Sequence, residues 1–204
     1  MARRGPRLKR IRRLGTPLPG LTRKTAERRP YPPGAHGAAG ARRRRSAYRR
    51  QLEEKQKLRW HYGVTEQQLR RYFGEALRRP GRTGEALLAL LERRLDNVVF
   101  RLGFAPTIRA ARQLVSHGHV RVGARRVDRP GYRVRPGETV SVAPRARRFP
   151  GVREAVERGP EVRLPAYLAL DPDDPYTGRV VDQPSRADVP IVVDEAAVVE
   201  FYAR

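Results

Sequence analysis

Cysteine is absent from the 204 residues, which excludes disulfides and thiolate zinc sites and fits a reducing compartment. Long apolar runs are absent too, none approaching the roughly 20 residues that a membrane-spanning helix requires. The N-terminus lacks the charged-then-apolar pattern of a secretory signal, so the expected location is the cytoplasm, with an organelle interior as the alternative. Lysine is scarce, at 4 of the 45 basic residues. Arginine, alanine, glycine and proline share GC-rich codons, so that ratio carries no functional argument. No Ser-His-Asp set, phosphate loop or paired-acid constellation is present, so nothing asks for an enzyme, a cofactor or a small-molecule substrate.

What is present is charge. The formal net charge is +24, a surplus that repels itself in a compact free chain and points to a polyanionic partner, with nucleic acid the first candidate. Residues 1–50 hold 17 basic and one acidic side chain, residues 51–159 hold 24 and 11, and residues 160–204 hold 4 and 9. The polyanion is therefore expected on the N-terminal and central parts, not on the tail. The length suits one large or two small domains, each able to bury a core.

Residues 1–45 are rich in Pro and Gly and without sustained periodicity, which reads as a basic tail. Leu8, Ile11, Leu14, Leu18, Leu21 and Tyr31 are more apolar anchors than a tail needs, so an extended arm that orders on its partner is expected. From Ser46 the pattern turns helical, beginning with "SAYRRQLEEKQKLRWHYG", a charged segment with few core positions. Thr65 and Gln68 are spaced as a capping box, with Val64 and Leu69 as its hydrophobic staple. Pro80 and Gly81 end that helix. Thr83 then opens a long apolar stripe through Leu87, Leu91, Leu95, Val98 and Leu102, the pattern of a core helix.

The segment "TIRAARQLVSHGHVRVGARRV" follows. Ile108, Ala111, Leu114 and Val115 make a buried stripe, while Arg109, Arg112, Gln113 and Ser116 lie on another face. An arginine pair one turn apart with an amide beside it suits a phosphate and nearby sugar or base edges. Gly118 is placed as a left-handed helix stop. "HVRV", a "GA" turn, "RRV", "YRV" and "TVSV" then read as short antiparallel strands.

Residues 93–142, "RRLDNVVFRLGFAPTIRAARQLVSHGHVRVGARRVDRPGYRVRPGETVSV", resemble the RNA-binding module named after small-subunit ribosomal protein four. "RRPYPPGAHG", "LEEKQKLRWHYGVTEQQLRRYF" and "VVEFYAR" resemble the bacterial or organellar members of that ribosomal protein family, and the resemblance covers nearly the whole chain. It implies a structural constituent of the small subunit, a primary binder of 16S ribosomal RNA that nucleates assembly and contributes to translational accuracy near small-subunit protein five. Some members repress their own messenger. The implied RNA contacts are Arg94, Arg101, Arg109, Arg112, Gln113, His117, His119, Arg121, Arg125 and Arg126, with Arg42, Arg43, Arg44, Arg45 and Arg49 from the arm and the helix after it. The chain departs from the family pattern in three places. Thr107-Ile108-Arg109 stands where Ser-Arg-Arg is usual, so one basic contact is missing. Gly123-Ala124 replaces Asn-Gly, favouring a type II′ over a type I′ turn. The four zinc-binding cysteines of many relatives are missing, so the arm is expected to be metal-free.

Other readings compete. His117 and His119 sit two residues apart among cations, unlike the His or Cys pairs of structural zinc sites, and His36 and His61 lie far off in sequence. "RRLD" resembles the surroundings of the catalytic aspartate in RNA pseudouridine synthases, but Asp96 falls inside the module's own first helix and reads as a surface residue. A free RNA-binding factor or chaperone of ribosomal particles is the alternative function. The acidic loops around Asp171, Asp173, Asp174, Asp182 and Asp188 are expected to avoid RNA and to face a basic protein neighbour.

The expected fold class is α+β: an extended basic arm over 1–45, a helical domain over 46–92, an inserted RNA-binding module over 93–157, and an acidic ribbon and final helix over 158–204. In the module, two helices would pack on a short curled antiparallel sheet, and the segment after it, including "DEAAVVEFYAR", would return to the helical domain.

Overall fold

Two separate apolar cores organise the chain, and its path between them explains the architecture. The computed structural model describes residues 6–24, 26–40 and 46–203. Helix α1 (Arg7–Leu14) stops at Gly15, whose φ of 65° is left-handed. Its Leu14, with Leu18, is buried among Leu58, Tyr62, Leu69 and Leu87. This part of the arm therefore departs from the expected extended course: its apolar anchors recur at helical spacing and find a core to enter. A single turn, α2 (Gly37–Gly40), precedes α3 (Ala47–His61), which is capped by the Ser46 hydroxyl accepting from the Arg49 amide at 3.2 Å.

Helix α3 has few apolar side chains, yet Gln51, Glu53, Lys55, Lys57 and His61 on it are buried. Pairing makes that tolerable: Lys57 meets Glu54 at 2.6 Å, Lys55 meets Glu66 at 3.0 Å, and Gln51 donates to Glu200 at 2.7 Å. Helix α4 (Glu66–Ala76) opens with the Thr65/Gln68 capping box.

The long stripe from Thr83 is divided into α5 (Thr83–Glu92) and α6 (Leu95–Arg101). Arg94 leaves helical geometry at ψ 135° and bridges to Arg133 in an antiparallel contact. The Leu95 amide donates to the Tyr132 carbonyl at 2.8 Å, and the Val134 amide to the Arg93 carbonyl at 2.9 Å. A periodic apolar pattern does not reveal such a break, because the stripe keeps its phase on both sides of it. The segment expected as a "YRV" strand supplies only this bridge.

Helix α7 (Ile108–Ser116) is capped by Thr107 and stopped by Gly118 at φ 71°. Strands β1 (Val120–Val122), β2 (Arg125–Arg126) and β3 (Thr139–Val142) precede α8 (Pro150–Arg158), β4 (Leu168–Leu170), β5 (Thr177–Val180) and α9 (Glu195–Tyr202). Among the described residues the strands form one antiparallel sheet in the order β2-β1-β3-β5-β4. Val120 and Val122 pair with Val142 and Val140, placing their side chains on one buried face under Leu95, Val98, Val99 and Leu102 of the α6 region.

The acidic ribbon β4–β5 was expected on the helical domain, and here the structure differs. It extends the module's sheet through β3, with Val140 opposite Gly178, and its Tyr167, Leu168 and Val180 enter the module's core. The inward face of β5, with Gly178 and Val180 buried, needs a sheet edge to pair with, and β3 offers one. Only the segment beyond it returns: Val189, Ile191, Val193 and Val198 join the helical core, where α9 lies against α3 and α5.

Candidate nucleic-acid interface

The arginines divide by whether they have a carboxylate partner. Arg94 and Arg101, assigned above to RNA contact, are 2% exposed. Arg94 donates to both oxygens of Asp96 at 3.0 and 2.8 Å and to the Tyr72 hydroxyl at 2.7 Å. Arg101 pairs with Glu92 at 3.3 Å and donates to the Asp188 carbonyl. Burial opposes their charge, but Asp96 and Glu92 respectively outweigh it and hold both guanidiniums above their ordinary pKa. These two are internal struts, and the assignment to RNA is corrected on that ground. Asp96, expected at the surface, is fully buried as the shared acceptor of Arg94 and Arg112.

Arg112 also points inward. It reaches Asp96 at 2.5 Å and donates to the carbonyls of Gly63 at 2.5 Å and Tyr62 at 3.3 Å. The expected bracket of Arg109 and Arg112 is thus split, with Arg109 exposed and Arg112 tying the module to the helical lobe.

The remaining candidates lie at the surface of the module. Arg109, Gln113, His117, Arg121, Arg125 and Arg126 are exposed and His119 is half-buried. Arg109, Arg121, Arg125 and Arg126 have no carboxylate partner among the described residues. Of the two turn residues between β1 and β2, only Gly123 has positive φ, at 55°, the sign pattern of the expected type II′ turn. The Arg126 guanidinium packs against Gly118, where a side chain would collide with it. Arg49 is exposed and pairs with Glu53 at 2.9 Å, while Arg42, Arg43, Arg44 and Arg45 lie outside the described residues.

A groove between α1, the end of α3 and α7 is lined by Arg7, Arg10, Arg59, Trp60, Arg109 and Arg112, with no carboxylate in its lining, although Arg59 reaches Glu66 at 3.4 Å and Arg112 reaches Asp96 outside it. Arg10 stacks over Trp60 at 5.2 Å. Burial and then the charge of Arg59 depress its pKa, as desolvation and a neighbouring like charge both do. An anionic ligand would relieve that repulsion. Arg7, Arg10, Arg59 and Trp60 were not singled out from sequence. The signal was the i, i+3 spacing of Arg7 and Arg10, which has meaning only once the arm is known to be helical there. His61 also lines the groove, 1% exposed, with neither ring nitrogen hydrogen-bonded among the described residues.

Among the described residues no three of His, Cys, Asp or Glu stand together in metal-holding reach. No helix there is long and apolar enough to cross a membrane.

Residues 2–92 match the family described as Ribosomal protein S4/S9 N-terminal domain, and residues 93–140 match the S4 domain. Small ribosomal subunit protein uS4 of Methylobacillus flagellatus is 50% identical over 199 residues, 98% of this chain and 96% of that protein. The uS4 protein of Thermosynechococcus vestitus is 52% identical over 205 residues, covering 100% and 99%. The chain belongs to the small ribosomal subunit protein uS4 family.

The uS4 assignment makes it a structural, RNA-binding protein of the small ribosomal subunit and not an enzyme. Arg94, Arg101 and Arg112 are held by buried carboxylates inside the fold, whereas Arg109, Arg121, Arg125 and Arg126 are exposed and have none among the described residues.

Proposed function

We propose that this chain binds 16S ribosomal RNA early in small-subunit assembly and later contributes to translational accuracy beside small-subunit protein five. Its working units are the helical lobe, proposed over 46–92 with the arm over 1–45, and the module over 93–157. The observation that carries the reading is the groove between α1, α3 and α7, which has no carboxylate in its lining and takes in the exposed Arg109. Phosphates held by Arg7, Arg10, Arg59 and Arg109 would fix a folded RNA by its shape, with Gln113, His117, His119, Arg121, Arg125 and Arg126 along the module. Arg42, Arg43, Arg44, Arg45 and Arg49 are proposed as further contacts to the same RNA. The acidic loops of the tail would face a basic protein, since RNA repels them.

Two measurements test it. A constituent sediments with the small subunit through a high-salt wash, whereas a free factor is released. In binding to 16S ribosomal RNA, Arg10→Gln with Arg109→Gln is expected to weaken affinity and to reduce the slope of log K against log salt by roughly 1 to 2. An unchanged slope and affinity would exclude the groove as the RNA site.

A further inference from the structure

Next to the basic hairpin, the module carries a second groove of opposite character. Its floor is apolar, from the buried Phe104, Leu114 and Val152. Its rim is made of flat or amide side chains: Gln113 and His117, which are exposed, and His119 and Phe149, which are half-buried. His119 and Phe149 meet edge to face, with ring centroids 5.0 Å apart and planes at 83°. His117 adds a third ring, 6.1 Å from His119. This cluster sits at the corner where α7 hands over to β1; Gln113, His117 and His119 are among the RNA contacts proposed above, which give them no mode of contact and leave Phe149 out.

We propose that this groove is a nucleobase slot, which takes the face of one unpaired base of the bound RNA against Phe149 and His119 while Gln113 and His117 border its polar edge. The proposal rests on the RNA-binding reading of the module and adds to it a stacking site. Base-aromatic stacking suits such a surface because every base has a π-face, and RNA is recognised largely through bases splayed from loops and bulges. Charge selects RNA over an apolar side chain of a protein neighbour. Arg126 packs on Gly118, which lies between the two rim histidines in the chain, and neither it nor Arg145 has a carboxylate partner among the described residues. Burial, then the charges of His117, Arg145 and Arg126, hold the His119 pKa below its ordinary value. A neutral ring there stacks without adding charge, and the flanking arginines attract phosphates and repel the basic proteins of a ribosome.

Stacking and phosphate contacts differ in their salt dependence, and that difference supplies the test. The full chain and its Phe149→Leu and His119→Leu variants are titrated against 16S ribosomal RNA over a range of salt, with thermal melting to confirm that each variant is folded. Each substitution is expected to weaken binding about 5- to 100-fold, as for the loss of one stacked base. The salt slope should not change, because no counterion-releasing contact is lost. Should Phe149→Leu misfold, Phe149→Trp reports instead: a stacked base quenches the added tryptophan on RNA binding, and an unquenched one overturns the slot. Wild-type affinity in both leucine variants, with Arg10→Gln and Arg109→Gln still weakening binding, overturns the slot but leaves the RNA-binding reading in place. Wild-type affinity in all four overturns that reading as well. If Phe149→Leu spares RNA affinity but weakens binding of another subunit protein, the groove seats a protein and the proposal fails.

Discussion

Asp96 holds two guanidiniums from different elements while fully excluded from water, and its position follows from that arrangement. Arg94 approaches from the break between α5 and α6 and Arg112 from α7, and Arg112 continues to the carbonyls of Tyr62 and Gly63 on the helical lobe. A buried ion pair often adds little net stability over an apolar substitute, but deleting one partner strands the other charge. Asp96→Asn keeps the shape and removes the charge that both arginines face. It is expected to cost on the order of 3 to 5 kcal/mol, read as a lowered urea midpoint with unchanged slope. The motif around this residue resembles a catalytic one, and burial shows what its charge does instead: it sets the direction of Arg112 and so separates it from the exposed Arg109.

At the scale of elements, the ribbon β4–β5 shows how one contact decides which lobe a segment joins. Gly178 faces Leu102, and an added Cβ would lie 2.5 Å from Leu102 Cδ2 and 3.1 Å from the Ala169 carbonyl oxygen. The end of α6 therefore packs on a bare backbone position of β5. Gly178→Ala overpacks that contact and is expected to destabilise by about 1 to 3 kcal/mol, measurable by chemical denaturation. A ribbon free of the module's sheet would tolerate the change. Local signals in the sequence were enough for the capping box at Thr65, the Gly118 stop, the β1–β2 turn and the apolar face of α7, because each depends on residues within a few positions. The pairing of β5 with β3 and the break at Arg94 depend on partners about 40 residues away, which periodicity does not encode. The same limit hid part of the interface. Arg109 and the hairpin cations were legible from spacing, whereas the burial of Arg94 and Arg101 and the convergence of Arg7, Arg10 and Arg59 needed the tertiary fold.

For the molecule as a whole, the chain runs from the helical core into the module's core and back, and polar groups fill the seam. Glu92 sits there, accepting from the hydroxyls of Tyr62 at 2.6 Å and Tyr167 at 2.9 Å and from Asn97 at 2.8 Å. Glu75 pairs with Arg133 across the same junction. His61 lies beside it, edge-on to Tyr62, and burial and then the Arg101 charge push its pKa down from 6.5 to about 3. The Pro19 carbonyl pulls the other way, though it falls short of a hydrogen bond. Above pH 7 the imidazole is neutral in folded and unfolded chains, and its contribution is fully present. As pH falls below 6.5 the unfolded chain takes up a proton that the folded one refuses until about pH 3, so stability declines by at most about 1.4 kcal/mol per pH unit. The depressed carboxyls of Glu66, Glu75, Asp174 and Asp194 act with the same sign, setting in about one pH unit above their ordinary values of 4.5 and 3.8. The interval from pH 6.5 to about 5.5 therefore isolates histidine, and His119, also depressed, remains in both proteins when wild type is compared with His61→Leu. Urea denaturation across that interval should show a steep loss of stability in the wild type and a markedly flatter one in the variant. Equal slopes would mean that His61 is protonated in the folded chain and that the seam between the two cores admits water.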